Sequence, residues 1–384
     1  MSCNTFLSPK CAFFGFDCLS QVGKEIKSLG VRKGLIVTDP SIVELGIEKK
    51  VEKMLEDEGL SFSLFAGVKP NPTVKNVEDG LKELKNSECD FLISIGGGSA
   101  HDCAKSISIV ATNGGEITDY KGANKSKVPP LPLVAINTTA GTASEYTAAY
   151  VIVDEKTGTK YGSRDKNVIS AIAVDDWSLM MTLPKKITAG TGMDALTHAI
   201  EAFSSVNGFE MTRALGLAAI REVFRFLPKA VNAPDEESRG GMAVAQYLAG
   251  MAFGNAGCGL VHSMSHQLSA VYDLPHGLSN AILLPVVMEF NCSREGAMRY
   301  AEIARNVFPF EADLNDDYQA AAVLIKNVRK LSKEIGIPEN FSSLGAKKED
   351  IPLLAEKAMQ DGSLHNNIVQ PTCSQIEDLY RRLI

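Results

Sequence analysis

The segment DFLISIGGGSAHDCAK (90–105) decides the fold class. Phe91 to Ile95 form an apolar run too short for a helix, which predicts a buried strand. Gly96-Gly97-Gly98-Ser99 then turn the chain into a helix that carries Asp102 and Lys105. Glycines let the backbone come close to a ligand, and the first N–H groups of the helix can face a phosphate. The same turn also serves as a tight connection with nothing bound, so the motif alone leaves binding open. It is not the GxGxxG pattern of dinucleotide folds. The acidic residue at a strand end, Asp39, precedes the glycines here, whereas that pattern places it about 20 residues after them.

The flanks repeat the strand–helix alternation. GLIVTD (34–39) is a strand ended by Asp39-Pro40, and IEKKVEKMLEDEG (47–59) has helical spacing with charges outside. FSLFAG (62–67) reads as a strand, KPNPT (69–73) as a loop and VKNVEDGLKELKN (74–86) as a helix. Downstream, PLVAINTTAGTASE (132–145) is a strand and turn, and YVIVDEKTGTK (150–160) a hairpin. Such alternation predicts a mostly parallel sheet covered on both faces. Asp39 suits the two hydroxyls of a ribose and would repel a 2′-phosphate, although an Asx turn before Pro40 is individually the more common role for such a residue. The hydroxyl-rich turn 137–145 serves either as a cap or as a ligand loop. Two such turns at carboxyl ends of parallel strands strengthen the case for a nucleotide.

After Pro184 the strands give way to helical segments at 188–204, 209–227, 238–253, 260–271, 295–307, 316–335 and 350–360. The 384 residues therefore divide into an α/β domain, 1–185, and an all-helical domain, 186–384. Four of the six histidines fall in the helical part, at 198, 262, 266 and 276. Asp194 and His198 stand at i, i+4 on one helix face, and His262 and His266 repeat the spacing. His276 follows at a Pro-His-Gly turn. One carboxylate and two or three neutral imidazoles suit Fe2+ or Zn2+, and burying them together without a cation leaves polar groups unsatisfied. No cysteine is expected at ligand spacing, so nitrogen and oxygen alone would hold the ion. His266, one turn from His262, is either a proton relay or a packing residue. A Lewis-acidic ion beside a nucleotide suggests hydride exchange between an alcohol and a nicotinamide.

Composition sets the outer limits. Lys and Arg number 39 against 46 Asp and Glu, giving −7, and they are scattered, which argues against a nucleic-acid partner. The apolar run 281–288 is far too short to span a bilayer and contains Pro285, so no membrane partner is expected. MSCNTFLSPK carries no secretory pattern, and the eight cysteines form no CxxC pair. Reduced thiols in a cytoplasm are the expectation.

PNPT (70–73), GGGSAHDCAK (96–105), NTTAGTASE (137–145), TGMDALTHAIEA (191–202), GMAFGNAG (250–257) and GLVHSMSHQLSAVYDLPHG (259–277) together resemble the iron-containing (group III) alcohol dehydrogenases over essentially the whole chain. The resemblance implies a dinucleotide-binding α/β domain, a helical domain and an active site in the cleft between them. It implies metal ligation by Asp194, His198, His262 and His276, with His266 as the catalytic side chain. It further implies NAD(H) contacts at Asp39, Asn71, Gly97, Gly98, Ser99, Thr138, Thr139, Thr147 and Lys160, with Leu179 near the adenine. Of these, Asn71, Thr147, Lys160 and Leu179 come from the resemblance alone. Fe2+ is the implied ion, with Zn2+ as an alternative, and a homodimer or larger homo-oligomer the implied assembly. The implied activity interconverts a short-chain aldehyde and its primary alcohol. The alternatives are a reductase of a small polar or anionic aldehyde, such as sulfoacetaldehyde or lactaldehyde, and a non-redox lyase like dehydroquinate synthase. The chain departs from the family pattern at Gly254, at Cys258 and at Asp175-Asp176. It departs again across Ser363-Leu364-His365-Asn366-Asn367, where His365 and Asn366 are expected either to meet a polar substrate tail or to form a plain surface loop.

Overall fold

The computed structural model describes residues 3–292 and 296–384. It forms two compact units, one from Phe6 to Thr182 and one from Leu183 to Ile384 together with residues 3–5.

The first unit runs β1 (Cys11–Gly15), α1 (Val22–Ser28), β2 (Lys33–Val37), α2 (Pro40–Glu44), α3 (Glu48–Asp57), β3 (Ser61–Phe65), α4 (Val74–Asn86), β4 (Phe91–Gly96) and α5 (Gly98–Asn113). It continues with β5 (Leu133–Asn137), the antiparallel hairpin β6 (Ala149–Asp154) and β7 (Thr159–Arg164), and β8 (Ile172–Asp176). Among the described residues six strands pair in parallel in the order β1-β8-β5-β4-β2-β3. Phe91, Ile93 and Ile95 pack into one core cluster and Leu92 into another, so β4 is buried on both faces and reads as an apolar run interrupted only by Ser94. From β2 the chain adds β3 on one side and then crosses to β4 on the other. That reversal is a topological switch point, and in open α/β sheets ligands bind beyond the carboxyl ends of such strands. Asp39, just past β2, and Gly97, between β4 and α5, stand at those ends.

Strands β1 and β8 carry too little pattern to be foreseen. β1 is a five-residue edge strand with Phe14 partly exposed, and β8 ends in two aspartates. Those aspartates have partners. Asp175 accepts from Asn137 Nδ2 (2.8 Å) and Tyr146 OH (2.6 Å), while Asp176 accepts the backbone N–H groups of Asp17 and Leu19 at 2.9 Å.

The second unit is helical: α6 (Lys185–Ser204), α7 (Glu210–Asn232), α8 (Glu236–Ala256), α9 (Leu260–Tyr272), α10 (His276–Cys292), α11 (Ala297–Val307), α12 (Asp317–Glu334), α13 (Ile351–Met359) and α14 (Cys373–Arg381). Helix α6 packs against α7, α8 and α10, and α10 also lies against α9. Helices α10 and α14 are additions to the sequence reading, and α7 continues past Pro228 to Asn232. Pro285 sits inside α10 and hides it from a pattern search, because an interior proline normally ends a helix. His276 is therefore the first residue of a helix, not part of a turn. The segment expected at 295–307 starts on residue 295, which lies outside the described residues.

Candidate metal centre and nucleotide-binding turns

Helix α6 is buried along most of its length, and its face carries Asp194 and His198, 2% and 4% exposed. Helix α9 brings His262, and the first turn of α10 brings His276. Around Asp194 Oδ1 stand His198 Nε2 at 3.9 Å, His262 Nε2 at 3.8 Å and His276 Nε2 at 3.7 Å. Asn280, one turn along α10, places Nδ2 2.6 Å from Asp194 Oδ1, 3.1 Å from His276 Nε2 and 3.2 Å from His262 Nε2. An amide nitrogen has two hydrogens for these three acceptors, and an ionised carboxylate donates none. With both imidazole Nε2 atoms unprotonated, as metal ligation requires, the Asn280 amide faces more lone pairs than it has hydrogens, which is the condition a cation relieves. Ligands about 2.0–2.2 Å from a tetrahedral ion lie roughly 3.4 Å apart, so each imidazole needs to close on Asp194 Oδ1 by only a few tenths of an ångström.

Two carboxylates that carried no role in the sequence reading orient these imidazoles. Glu201 Oε2 lies 2.6 Å from His262 Nδ1, and the same carboxylate accepts from Gly259 N (2.8 Å) and Val261 N (2.7 Å). It therefore caps α9 and turns the Nε2 lone pair of His262 toward Asp194. A charged residue inside the apolar run AIEAF (199–203) was the available signal, since a buried glutamate needs partners. Asp361 Oδ2 holds His266 Nδ1 at 2.8 Å, and the His266 ring stacks on His276 with centroids 5.2 Å apart.

Cys258 corrects an expectation. Its sulfur and one donor atom each of His198 and His262 lie within 4.8 Å of one another, so nitrogen and oxygen are not the only donors at the centre. The residue stands four before His262 but ahead of the start of α9, where helical spacing does not apply. The segment 363–367 serves the fold. Asn366 Oδ1 accepts from Asn207 Nδ2 (2.7 Å), and its amide fills the space where a Cβ on Gly257 would lie 2.4 Å away. Asn367 Oδ1 accepts from Leu260 N at 3.2 Å, and His365 is exposed.

In the α/β unit the two small-residue turns lie against each other. A Cβ on Gly97 would come within 2.9 Å of Thr139 Oγ1, and one on Gly98 within 3.1 Å of Thr142. Gly96 adopts φ 146°, and its missing Cβ would lie 3.6 Å from Asp39 Oδ2. Asp39 uses its other oxygen to cap α2 through Ser41 N (2.9 Å), so the capping role and a free second oxygen coexist. Thr138 N donates to Gly96 O at 3.0 Å, and Thr139 N to Asn137 Oδ1 at 3.0 Å. No side chain caps α5, where Gly98 and Ser99 form the first turn. Lys160 Nζ donates to Asn71 Oδ1 at 2.8 Å, with Asn71 in the left-handed region at φ 58°. Thr147 is buried with its carbonyl on Lys105 Nζ (2.9 Å), and Leu179 belongs to the apolar core beside Val174.

His101 sits fully buried beneath these turns, its Nδ1 2.7 Å from Ser94 Oγ. Burial, and then the charge of Lys105, hold its pKa down to about 3 against an ordinary 6.5. The folded chain therefore keeps His101 neutral while the unfolded chain takes up a proton, so stability falls as pH drops from 6.5 toward 3. His101→Gln is expected to lessen the acid-side slope of the unfolding free energy by up to ~1.4 kcal/mol per pH unit, read from urea melts at stepped pH. Equal slopes in the two proteins would show that His101 does not bind that proton differentially.

The chain matches two family models: "Iron-containing alcohol dehydrogenase" over residues 9–177 and "Fe-containing alcohol dehydrogenase family, C-terminal" over residues 188–384. It is 43% identical over 383 residues to alcohol dehydrogenase 4 of Schizosaccharomyces pombe, covering 99% of this chain and 89% of that one. To the NAD-dependent methanol dehydrogenase of Bacillus methanolicus it is 39% identical, covering 97% of each. The solved alcohol dehydrogenase from Oenococcus oeni superimposes with a TM-score of 0.96 at 37% identity, with full coverage of both chains.

Proposed function

The chain belongs to the iron-containing alcohol dehydrogenases and is an NAD-dependent enzyme that interconverts alcohols and aldehydes, and within that class we propose that it works as an NADH-linked reductase of a short-chain aldehyde. Asp194, His198, His262 and His276 hold a divalent ion, Fe2+ in the first instance and Zn2+ as the alternative. The observation that carries this assignment is the convergence of three imidazole nitrogens on Asp194 Oδ1 at 3.7, 3.8 and 3.9 Å. When bound, the ion supplies Lewis acidity to a carbonyl or hydroxyl oxygen, and NAD(H) supplies or receives the hydride. Glu201 keeps His262 in the tautomer whose Nε2 lone pair is available. His266, oriented by Asp361, passes a proton to the alcohol oxygen during reduction and takes it back during oxidation.

For the cofactor, the uncapped turn Gly97-Gly98-Ser99 at the start of α5 suits a pyrophosphate, and Asp39 Oδ2 a ribose hydroxyl pair. Thr138, Thr139, Thr147, Asn71 and Lys160 complete the contacts, with Leu179 behind the adenine. A carboxylate in the place of Asp39 repels a 2′-phosphate, which favours NADH over NADPH. Because Asn366 is held by the Asn207 side chain and Asn367 by the backbone of Leu260 and Val369, these two amides offer little to a charged tail. An uncharged aldehyde therefore fits better than sulfoacetaldehyde. A homodimer is supported by two aromatic rings at the edge of the sheet, Phe14 on strand β1 and Phe16 just beyond it, which are 37% and 43% exposed. Cytoplasmic residence fits the eight free cysteines, and among the described residues no helix is long and apolar enough to cross a membrane.

A panel of ethanal, butanal, lactaldehyde and sulfoacetaldehyde, run with NADH and NADPH on anaerobically purified protein of known metal content, tests the proposal. Ethanal or butanal with NADH is expected to give the highest kcat/KM. A tenfold advantage for sulfoacetaldehyde, or no net NADH oxidation with any of the four, would overturn it.

A further inference from the structure

We propose that Cys258 is a metal ligand, giving the centre a second donor triad, His198/Cys258/His262, which overlaps the first and takes thiophilic divalent ions such as Zn2+ and Co2+ in preference to Fe2+. The inference rests on reading the histidine cluster as a metal site. Two groups of donors stand within 4.8 Å of one another: Asp194 with His262 and His276, and His198 with Cys258 and His262. His262 is common to both. His198 lies between them, its Nε2 3.9 Å from Asp194 Oδ1 and its ring stacked on His262 with centroids 4.6 Å apart. With His262 Nδ1 taken by Glu201, its Nε2 is the donor for either side, and the proposal places one ion on the two imidazoles with its shell completed by Asp194 and His276 or by Cys258.

The thiol is carried by a segment fixed on each flank. Before it, Ala256 O accepts from Ser205 Oγ at 2.7 Å. Gly257 follows at φ 82°, with the Asn366 amide packed where its Cβ would be. After it, Gly259 N is held by Glu201 Oε2 at 2.8 Å, the same carboxylate that grips His262. One side chain therefore sets the position of both the sulfur-bearing loop and the shared imidazole. Zn–S bonds of about 2.3 Å and Zn–N bonds of about 2.0–2.1 Å put sulfur and nitrogen roughly 3.6 Å apart. From a spread of at most 4.8 Å this needs a closure of about 1 Å, within reach of χ1 rotation at Cys258. As the S–metal bond forms, the S–H bond breaks and its proton leaves to buffer; no electron changes hands. A thiolate raises affinity for softer ions over hard ones, and carboxylate and imidazole alone provide no such bias.

Cobalt(II) is the probe. Protein stripped with a chelator and reloaded with Co2+ is expected to show a near-ultraviolet sulfur-to-cobalt charge-transfer band together with the visible ligand-field bands of a low-coordinate site. Cys258→Ala and Cys258→Ser should each lose the charge-transfer band and retain the visible ones, so one variant's misfolding does not silence the test. After anaerobic dialysis against equal Zn2+ and Fe2+, the bound Zn:Fe ratio should fall about tenfold or more in both variants. Visible bands without charge transfer in the wild type, or a charge-transfer band that survives in Cys258→Ala, would overturn the thiol ligand while leaving the metal centre in place. Failure to retain any cobalt would overturn the metal centre itself, and the thiol ligand with it.

Discussion

Asp194→Asn is expected to empty the centre of Fe2+ and lower kcat/KM by ~10³-fold or more, the equivalent of the several kcal/mol of charge stabilisation that a bound divalent ion supplies. The substitution is isosteric, so α6 keeps its packing and the protein keeps its fold. What changes is charge and donor capacity. Asp194 Oδ1 is the atom on which His198, His262 and His276 converge, and it is the nearest acceptor of the Asn280 amide. With asparagine there, neutral imidazoles must hold a dication without the one anion facing all of them, and the Asn280 amide meets another amide. Metal analysis after dialysis, beside steady-state kinetics, reads both effects. NADH binding measured by fluorescence should be unchanged, because its residues belong to the other unit. Retention of a full complement of metal with activity within tenfold of the parent would remove Asp194 from the ligand set.

How much of this centre was legible depends on how local each signal is. Asp194 and His198 share one face of one helix, so their i, i+4 spacing names them directly. His262 was equally open to that argument. Cys258 was not, because it precedes the first turn of α9 and only the folded loop brings its sulfur near His262. Glu201 and Asp361 reach their histidines across 61 and 95 residues, and no periodicity encodes such a contact. In the α/β unit, β4 declared itself because both its faces are buried, whereas edge strand β1 did not. The glycines at 97 and 98 carry a mixed message. Their packing on Thr139 and Thr142 already requires the missing side chains, so glycine there signals the contact between two turns as much as any ligand.

That contact is held from below by a single buried cation, and its removal gives the second large effect. Lys105 is fully buried on α5, and its Nζ shares three hydrogens among Ser144 O (2.6 Å), Ser144 Oγ (2.9 Å), Thr147 O (2.9 Å) and Ala149 O (2.7 Å). Beside it Asp102 accepts from Ser144 Oγ (2.6 Å) and Val151 N (2.9 Å). Burial pulls the lysine pKa down to about 8 while Asp102 and Glu145 resist, so the ammonium persists at neutral pH. Lys105→Met keeps the length and apolar stem but takes the ammonium from the carbonyls of Thr147 and Ala149 and the counter-charge from Asp102, while Ser144 O retains the Thr147 N–H at 3.2 Å. Breaking a buried pair in this way costs about 3–5 kcal/mol, which should appear as a lower urea midpoint. The damage should also reach the cofactor. Ser144 and Thr147 flank the end of the hydroxyl-rich turn, and without the lysine that turn loses its anchor to the helix behind the glycines. NADH affinity is expected to fall by roughly tenfold or more, since each lost anchoring hydrogen bond of a charged group is worth about 1.5–3 kcal/mol. Metal content of the helical unit should stay at the parent level, which separates a local loosening of the nucleotide turns from general unfolding. Parent-like stability together with parent-like NADH affinity would mean that the turn is set by its own hydrogen bonds, Thr139 N to Asn137 above all, and that Lys105 only fills space.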